Sequence, residues 1–225
     1  MKHNNSHHHP DSLTLTAFAA GSIDTYEGLC IATHIENCPE CKRHMKQLEL
    51  VGASILTEAK DSFVASDVKN KTLDAIKQAP QGTPQPTKKH QARNTDVPKV
   101  LTKWIPEGFG QLEWVKVNRQ LATYDLTANK RGPRVSLVKV SAGGQMPHHR
   151  HSGKEITVIL QGSFSDEDGI YTEGDYLVRE SHENHSPVAS LDKDCICLTL
   201  LDGPIELTGF FSKLLNPWLR LRHPI

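Results

Sequence analysis

The sequence predicts an α + β protein of two domains, a small helical bundle followed by an antiparallel β-sandwich or barrel. Three observations predict it. Apolar residues recur at helical spacing through the first 78 residues, and short β-branched and aliphatic runs fill the stretch after Pro98. Between the two lies a segment of Pro, Gly, Gln, Thr and Lys without periodicity. The resulting division is a helical domain over residues 1–79, a linker over 80–98 and a β domain over 99–225. A chain of 225 residues also exceeds the usual single-domain size of roughly 100–150 residues, which favours two units.

The helical elements follow in order. Asp11 and Ser12 can cap a first helix on which Leu15, Phe18 and Ala19 share a face, and Gly21 supplies its stop. Asp24 followed by Glu27 has the spacing of a capping box, after which Tyr26, Leu29, Cys30 and Thr33 line one face, with His34 one turn beyond Cys30. Pro39 suits the first position of a third helix whose inner stripe would comprise Met45, Leu48, Val51 and Ile55. A more charged helical pattern over residues 57–78 carries Phe63, Val64, Val68, Leu73 and Ile76, and reads as an extra helix on the bundle. In the second half, residues 135–140, 155–160, 176–178 and 195–201 read as strands separated by turns.

Composition narrows the partners. The 26 basic and 26 acidic residues cancel, which gives no electrostatic reason for direct binding to nucleic acid or an anionic membrane. No run approaches the roughly 20 apolar residues of a membrane span. Residues 13–20 could pass for the apolar core of a secretory signal, but Asp11, Thr14, Thr16 and the shortness of the run argue against it. The 5 cysteines are too few and too unevenly placed for a disulfide framework, so a reducing cytoplasm is the expected location.

Two constellations carry chemistry. In the first half, His34-x3-Cys38-x2-Cys41 places an imidazole at a helix end opposite a Cys-Pro-x-Cys turn. The partial positive charge at the start of the next helix favours thiolates there. A closed structural zinc site needs a fourth donor. His9, just before the first helix, is in place to supply it, and His3, His7 and His8 compete on spacing alone. The other reading of the cysteine pair is a redox CxxC. In the second half, His149-x-His151-x3-Glu155-x6-Gly162 puts two imidazoles on one face of a strand and a carboxylate at the start of the next. His185 would complete a set suited to zinc or another divalent metal, with His182 as a rival. His148 should face solvent, and Cys195 and Cys197 should share a face of one strand.

Both constellations resemble known motifs. The first is similar to the zinc anti-sigma domain, in which a His precedes the first helix and an HxxxCxxC closes the site; the spacing to His34 then singles out His9. The second resembles the two cupin motifs, with Gly174-Asp175 ahead of His185 and without the usual Pro-x-Gly. With both in register, and with Ser186-Pro187 and Asp194-Cys195-Ile196-Cys197 also matching, the chain resembles the ChrR-like zinc-binding anti-sigma factors. That resemblance implies a structural zinc on His9, His34, Cys38 and Cys41, and a cupin metal on His149, His151, Glu155 and His185. It also implies an extracytoplasmic-function sigma factor as partner, and release of that partner under oxidative stress, including singlet oxygen. The rival reading is a metal-dependent cupin enzyme, a dioxygenase or isomerase. An N-terminal zinc domain would be superfluous there, so a non-enzymatic regulator is expected. The oligomeric state is left open.

Overall fold

The computed structural model describes residues 8–60, 64–79, 96–127, 132–181 and 183–208. His3, His7, Phe63, His182 and most of the expected linker lie outside the described residues.

Four helices come first: α1 (Ser12–Ala19), α2 (Thr25–Asn37), α3 (Pro39–Glu58) and α4 (Ser66–Gln78). Asp11 caps α1 by accepting from Thr14 N–H at 2.7 Å. Asp24 caps α2 through Tyr26 N–H at 2.8 Å. The expected capping box is not formed, because the Glu27 carboxylate pairs instead with Lys154 of the β domain at 2.7 Å. Pro39 opens α3 where its missing N–H costs nothing, and the Cys38 sulfur accepts from Cys41 N–H at 3.3 Å.

The inner stripe of α3 differs from the sequence reading. Met45 and Leu48 pack on the core, but Val51 and Ile55 are exposed, together with Leu50 and Leu56. Helix lengths explain it. At 1.5 Å per residue α3 runs about 30 Å, whereas α1 and α2 run about 12 and 20 Å, so the second half of α3 outruns its partners. Val64, Val68, Leu73 and Ile76, on and beside α4, are exposed as well, so α4 does not close the bundle.

The β domain begins after two 3-10 turns, Lys99–Leu101 and Phe109–Gln111. Its strands are β1 (Val115–Lys116), β2 (Leu121–Asp125), β3 (Arg134–Val140), β4 (His149–His151), β5 (Glu155–Gln161), β6 (Ser163–Ser165), β7 (Ile170–Thr172), β8 (Tyr176–Arg179), β9 (Asn184–His185), β10 (Val188–Ala189), β11 (Cys195–Leu201) and β12 (Ile205–Leu207). All pairings are antiparallel. A six-stranded sheet runs β1-β2-β3-β11-β5-β8, and two three-stranded sheets run β10-β6-β7 and β12-β4-β9. β3, β5 and β11 are buried on both faces. β5 and β11 accordingly read as nearly continuous apolar runs rather than alternating ones. Gly162 makes the β5–β6 corner possible: its φ is 77°, and a Cβ there would meet the Asp194 carbonyl oxygen at 2.6 Å.

Burial on both faces has a definite cause. The small sheets cover one face of β5 and β11, around Phe164, Tyr171, Ile159 and Cys197. Helix α2 covers the other, so that Leu15, Cys30 and Ile31 share one apolar cluster with Leu137, Ile156, Val158, Leu198 and Leu200. Helices and β-sheet therefore have a common core. Ile31→Ala, at a position without exposed surface, should cost about 2–5 kcal/mol. In urea titrations it should lower the midpoint followed by Trp104 and Trp114 in the β domain together with the loss of helical circular dichroism.

Candidate metal centres

The first centre forms where the N-terminal arm, the end of α2 and the start of α3 meet. His9, His34, Cys38 and Cys41 come together as one group, and all but His9 are buried. His34 Nε2 lies 3.2 Å from Cys41 Sγ, and His9 Nδ1 lies 3.4 Å from His34 Nε2, 3.4 Å from Cys38 Sγ and 3.5 Å from Cys41 Sγ. Zinc–nitrogen bonds of about 2.0–2.1 Å and zinc–sulfur bonds of about 2.3 Å, at tetrahedral angles, put neighbouring donors roughly 3.3–3.8 Å apart. The four donor atoms sit at or just inside those edges. Of the described N-terminal histidines, His9 is thus the one brought to this group, while His8 takes a different place, described below.

Electrostatics agree with a cation at the centre. Burial lowers His34 to about 4, which leaves its ring neutral and able to ligate. Burial and the adjacent Cys38 sulfur push the Cys41 thiol up to about 12. Two neighbouring thiolates in that environment need a positive charge between them. His34 Nδ1 donates to the Gly174 carbonyl oxygen at 2.7 Å, which fixes the tautomer and leaves Nε2 for the metal.

The second centre lies where the β12-β4-β9 sheet meets the start of β5. His149 and His151 both point inward from β4 with Arg150 between them facing out, and His149 is the direct cross-strand partner of His185. Arg150 pairs with Glu206 at 2.8 Å on the outer face. The three imidazoles form one group. Glu155 joins them through Oε2, 2.8 Å from His151 Nε2 and 3.6 Å from His185 Nε2. His151 Nε2 and His185 Nε2 face each other at 3.3 Å, with Glu155 Oε2 close to both. Ring nitrogens and a carboxylate oxygen converging in this way present lone pairs that fit a cation. His149 Nδ1 donates to the Pro147 carbonyl at 2.8 Å, turning its Nε2 inward.

Burial lowers His149, and brings His185 down to about 3. Burial alone would raise Glu155, but the hydrogen bond and charge of His151, with His185 and His149, outweigh it and bring the carboxyl to about 2. The lowered His149 and His185 beside a carboxylate are in the ionisation states that divalent metals bind. His148 is exposed, as its position one residue from His149 implied.

Other residues of these sites are not legible in the sequence. Asp166, with no exposed side-chain surface, lies 3.8 Å from His185 Nδ1 and pairs with Arg179. It sits in an ordinary-looking Asp-rich turn. Cys195 and Cys197 share a buried face with their sulfurs 3.7 Å apart, within the apolar cluster of Phe164 and Tyr171.

The fold and its donor sets define a class: a helical bundle with a His2Cys2 group, docked on a cupin sandwich with a His3Glu group. Residues 108–204 match the ChrR cupin-like domain family. The whole chain is 29% identical over 215 residues to the anti-sigma-E factor ChrR of Cereibacter sphaeroides, covering 95% of this chain and 98% of that protein. Its fold matches the crystal structure of Rhodobacter sphaeroides SigE in complex with the anti-sigma ChrR, with a TM-score of 0.71 and 25% identity, over 88% of this chain and all of that one. A more distant likeness, at 19% identity and a TM-score of 0.39 over 50% of this chain and 83% of that one, is to an RmlC-like cupin protein of Ralstonia eutropha. The chain thus resembles the ChrR-like anti-sigma factors along nearly its full length, as its two motifs in order implied.

Metal analysis of the purified protein should find two ions per chain. Cys41→Ser should remove one and His149→Ala the other. In cobalt-loaded protein the thiolate-to-cobalt charge-transfer absorption should disappear only in Cys41→Ser; its persistence there would contradict the assignment of the first centre.

Proposed function

We propose that this chain is an anti-sigma factor whose helical domain holds an extracytoplasmic-function sigma factor away from RNA polymerase. The observation that carries this reading is the unpartnered apolar surface of α3 and α4. Leu50, Val51, Ile55 and Leu56 on α3, and Val68, Leu73 and Ile76 on α4, are all exposed. Monomeric proteins rarely leave so many large apolar side chains of two helices in solvent without a partner. Helices presenting such residues suit grooves and helical faces of another protein. The likeness to the SigE–ChrR complex supports a sigma factor as that partner.

The further assignments belong to the same reading. The first centre holds a structural zinc through His9, His34, Cys38 and Cys41, since four protein donors leave no open position. The second holds zinc or another divalent ion through His149, His151, Glu155 and His185. The chain divides into a zinc-binding anti-sigma domain over residues 1–79, a linker over 80–98 and a cupin domain over 99–225. No helix among the described residues is long and apolar enough to cross a membrane, which is compatible with action in the cytoplasm. The cupin works as a sensor rather than an enzyme, and lowers the hold on the sigma factor under oxidative stress such as singlet oxygen.

Two experiments test these claims. Ile55→Asp combined with Leu73→Asp should weaken binding of the cognate sigma factor by about 100-fold or more, with the metal content unchanged. Wild-type affinity in that variant would refute the docking surface. Separately, Ala at His149, Glu155 or His185 should leave inhibition of sigma-dependent transcription in place but weaken its relief by singlet oxygen or an organic peroxide. Normal induction in all three would remove the cupin metal from the signalling route.

A further inference from the structure

The β domain holds one of the four donors of the helical centre directly, His34, and a second, His9, through its chain neighbour His8. His34 reaches the second domain through Nδ1, which donates to the Gly174 carbonyl at 2.7 Å. That carbonyl is aimed at α2 by the turn between β7 and β8, where Gly174 adopts a φ of 98°. The next residue, Asp175, is fully buried, and its carboxylate takes two backbone N–H groups from different parts of the molecule. Oδ2 accepts from Thr172 at 2.7 Å and closes the turn, while Oδ1 accepts from His8 at 3.2 Å and pins the N-terminal arm. Tyr176 N–H then donates to the His8 carbonyl at 3.0 Å.

The topology explains why the arm fits there. β8 is the edge strand of the six-stranded sheet, so its outer side is open to a further extended segment, and His8 pairs with it through the backbone. The His8 ring packs edge-on against Tyr171 at 4.9 Å between centroids, and the Tyr176 ring lies 5.8 Å from that of His34. His9 is the residue that follows, and it is a quarter exposed, whereas the other three donors are buried. The ion would leave the group past His9.

We infer that the β7–β8 turn of the cupin, through the Gly174 carbonyl, the Asp175 carboxylate and the Tyr176 amide, positions His9 and His34 and so governs how tightly the helical centre keeps its metal. Gly174, Asp175 and Tyr176 are positioning residues, since none of them touches the ion. Coupling is reciprocal by thermodynamic necessity: if the docked turn favours the metal, the metal favours docking of the arm and of α2 on the sheet. A change in the barrel that shifts this turn therefore reaches the helical centre directly, over two hydrogen bonds. The inference rests on a metal ion in the first centre and is independent of the anti-sigma reading.

The experiment uses the full chain loaded with cobalt, whose thiolate charge-transfer absorption reports on the cysteine-bearing centre alone. Loss of that absorption is followed after addition of excess chelator. Asp175→Ala should speed release by about tenfold or more, the size expected for removing a charged hydrogen-bond partner. His8→Pro removes the amide that donates to Asp175, together with the ring against Tyr171, while every barrel residue stays in place, and should speed release in the same direction. Asp125→Ala removes a carboxylate that caps a turn in the same way, accepting from Thr127 N–H at 3.0 Å near the opposite edge of the sheet, and should leave the rate within about twofold. Equal rates in wild type and both test variants would overturn the inference, as would an equal acceleration by Asp125→Ala. The reciprocal measurement is hydrogen exchange at the Tyr176 amide, which should quicken when the metal is stripped; an unchanged rate would also overturn it.

Discussion

The burial of one face of α2 against the six-stranded sheet is the contact on which the rest of the molecule depends. Cys30 and Ile31 have no exposed surface, and the cluster they join extends to Leu137, Ile156, Val158 and Leu198. Without α2 these strands would present an uncovered apolar face, and without the sheet a bundle of α1, α2 and half of α3 would have almost no interior. The polar contacts at the margin lock the orientation: Glu27 pairs with Lys154, and the Glu36 carboxylate accepts the amides of Lys99 at 3.0 Å and Val100 at 3.4 Å, where the chain re-enters the β domain. A covalent boundary near residues 80–98 is thus not a boundary in packing.

That contact also sets the two centres within one framework. In each, the protein has gathered side chains that repel or leave one another unsatisfied when no cation is present. Burial and the neighbouring Cys38 sulfur raise Cys41, and the imidazoles of the cupin site direct lone pairs at one another at 3.3 Å. Such arrangements cost folding free energy that metal binding must offset, so each ion is linked to the stability of its surroundings. The helical centre is fully supplied by protein donors and lies against the sheet. The cupin centre is made from two strands of a small sheet and the start of a central one, so an altered donor there is felt by β5, whose neighbour β8 leads into the turn that holds His34.

Much of this was written in the sequence because metal ligands obey short spacings. His34-x3-Cys38-x2-Cys41 spans one helix junction, and His149-x-His151-x3-Glu155 spans one strand and a turn, so local geometry alone brings those donors together. His185 arrives through register, opposite His149, and His9 through an arm that no periodicity describes; position made each a candidate, and the resemblance chose His9 among its rivals. The hold of Asp175 on the N-terminal arm was not legible, since it accepts from His8, 167 residues earlier. Nor could the exposure of Val51 and Ile55 be read from the helical pattern. A stripe at helical spacing says that a face is apolar, but not whether this chain or another one covers it.

That last distinction bears on how the molecule works. The surfaces left apolar are on the far half of α3 and on α4, whereas the near half of α3 begins at the cysteine pair. α3 is therefore a single rigid element with a metal ligand at one end and the exposed face at the other. A helix of 20 residues transmits a change of angle at its first turn as a displacement of several ångströms at its last, because the lever arm is about 30 Å. The first turn is oriented by Cys38 and Cys41, whose companions His9 and His34 are tied to the cupin turn. A barrel rearrangement that tilted this first turn would move the exposed face by more than it moved the turn, without direct contact between a partner and the second centre.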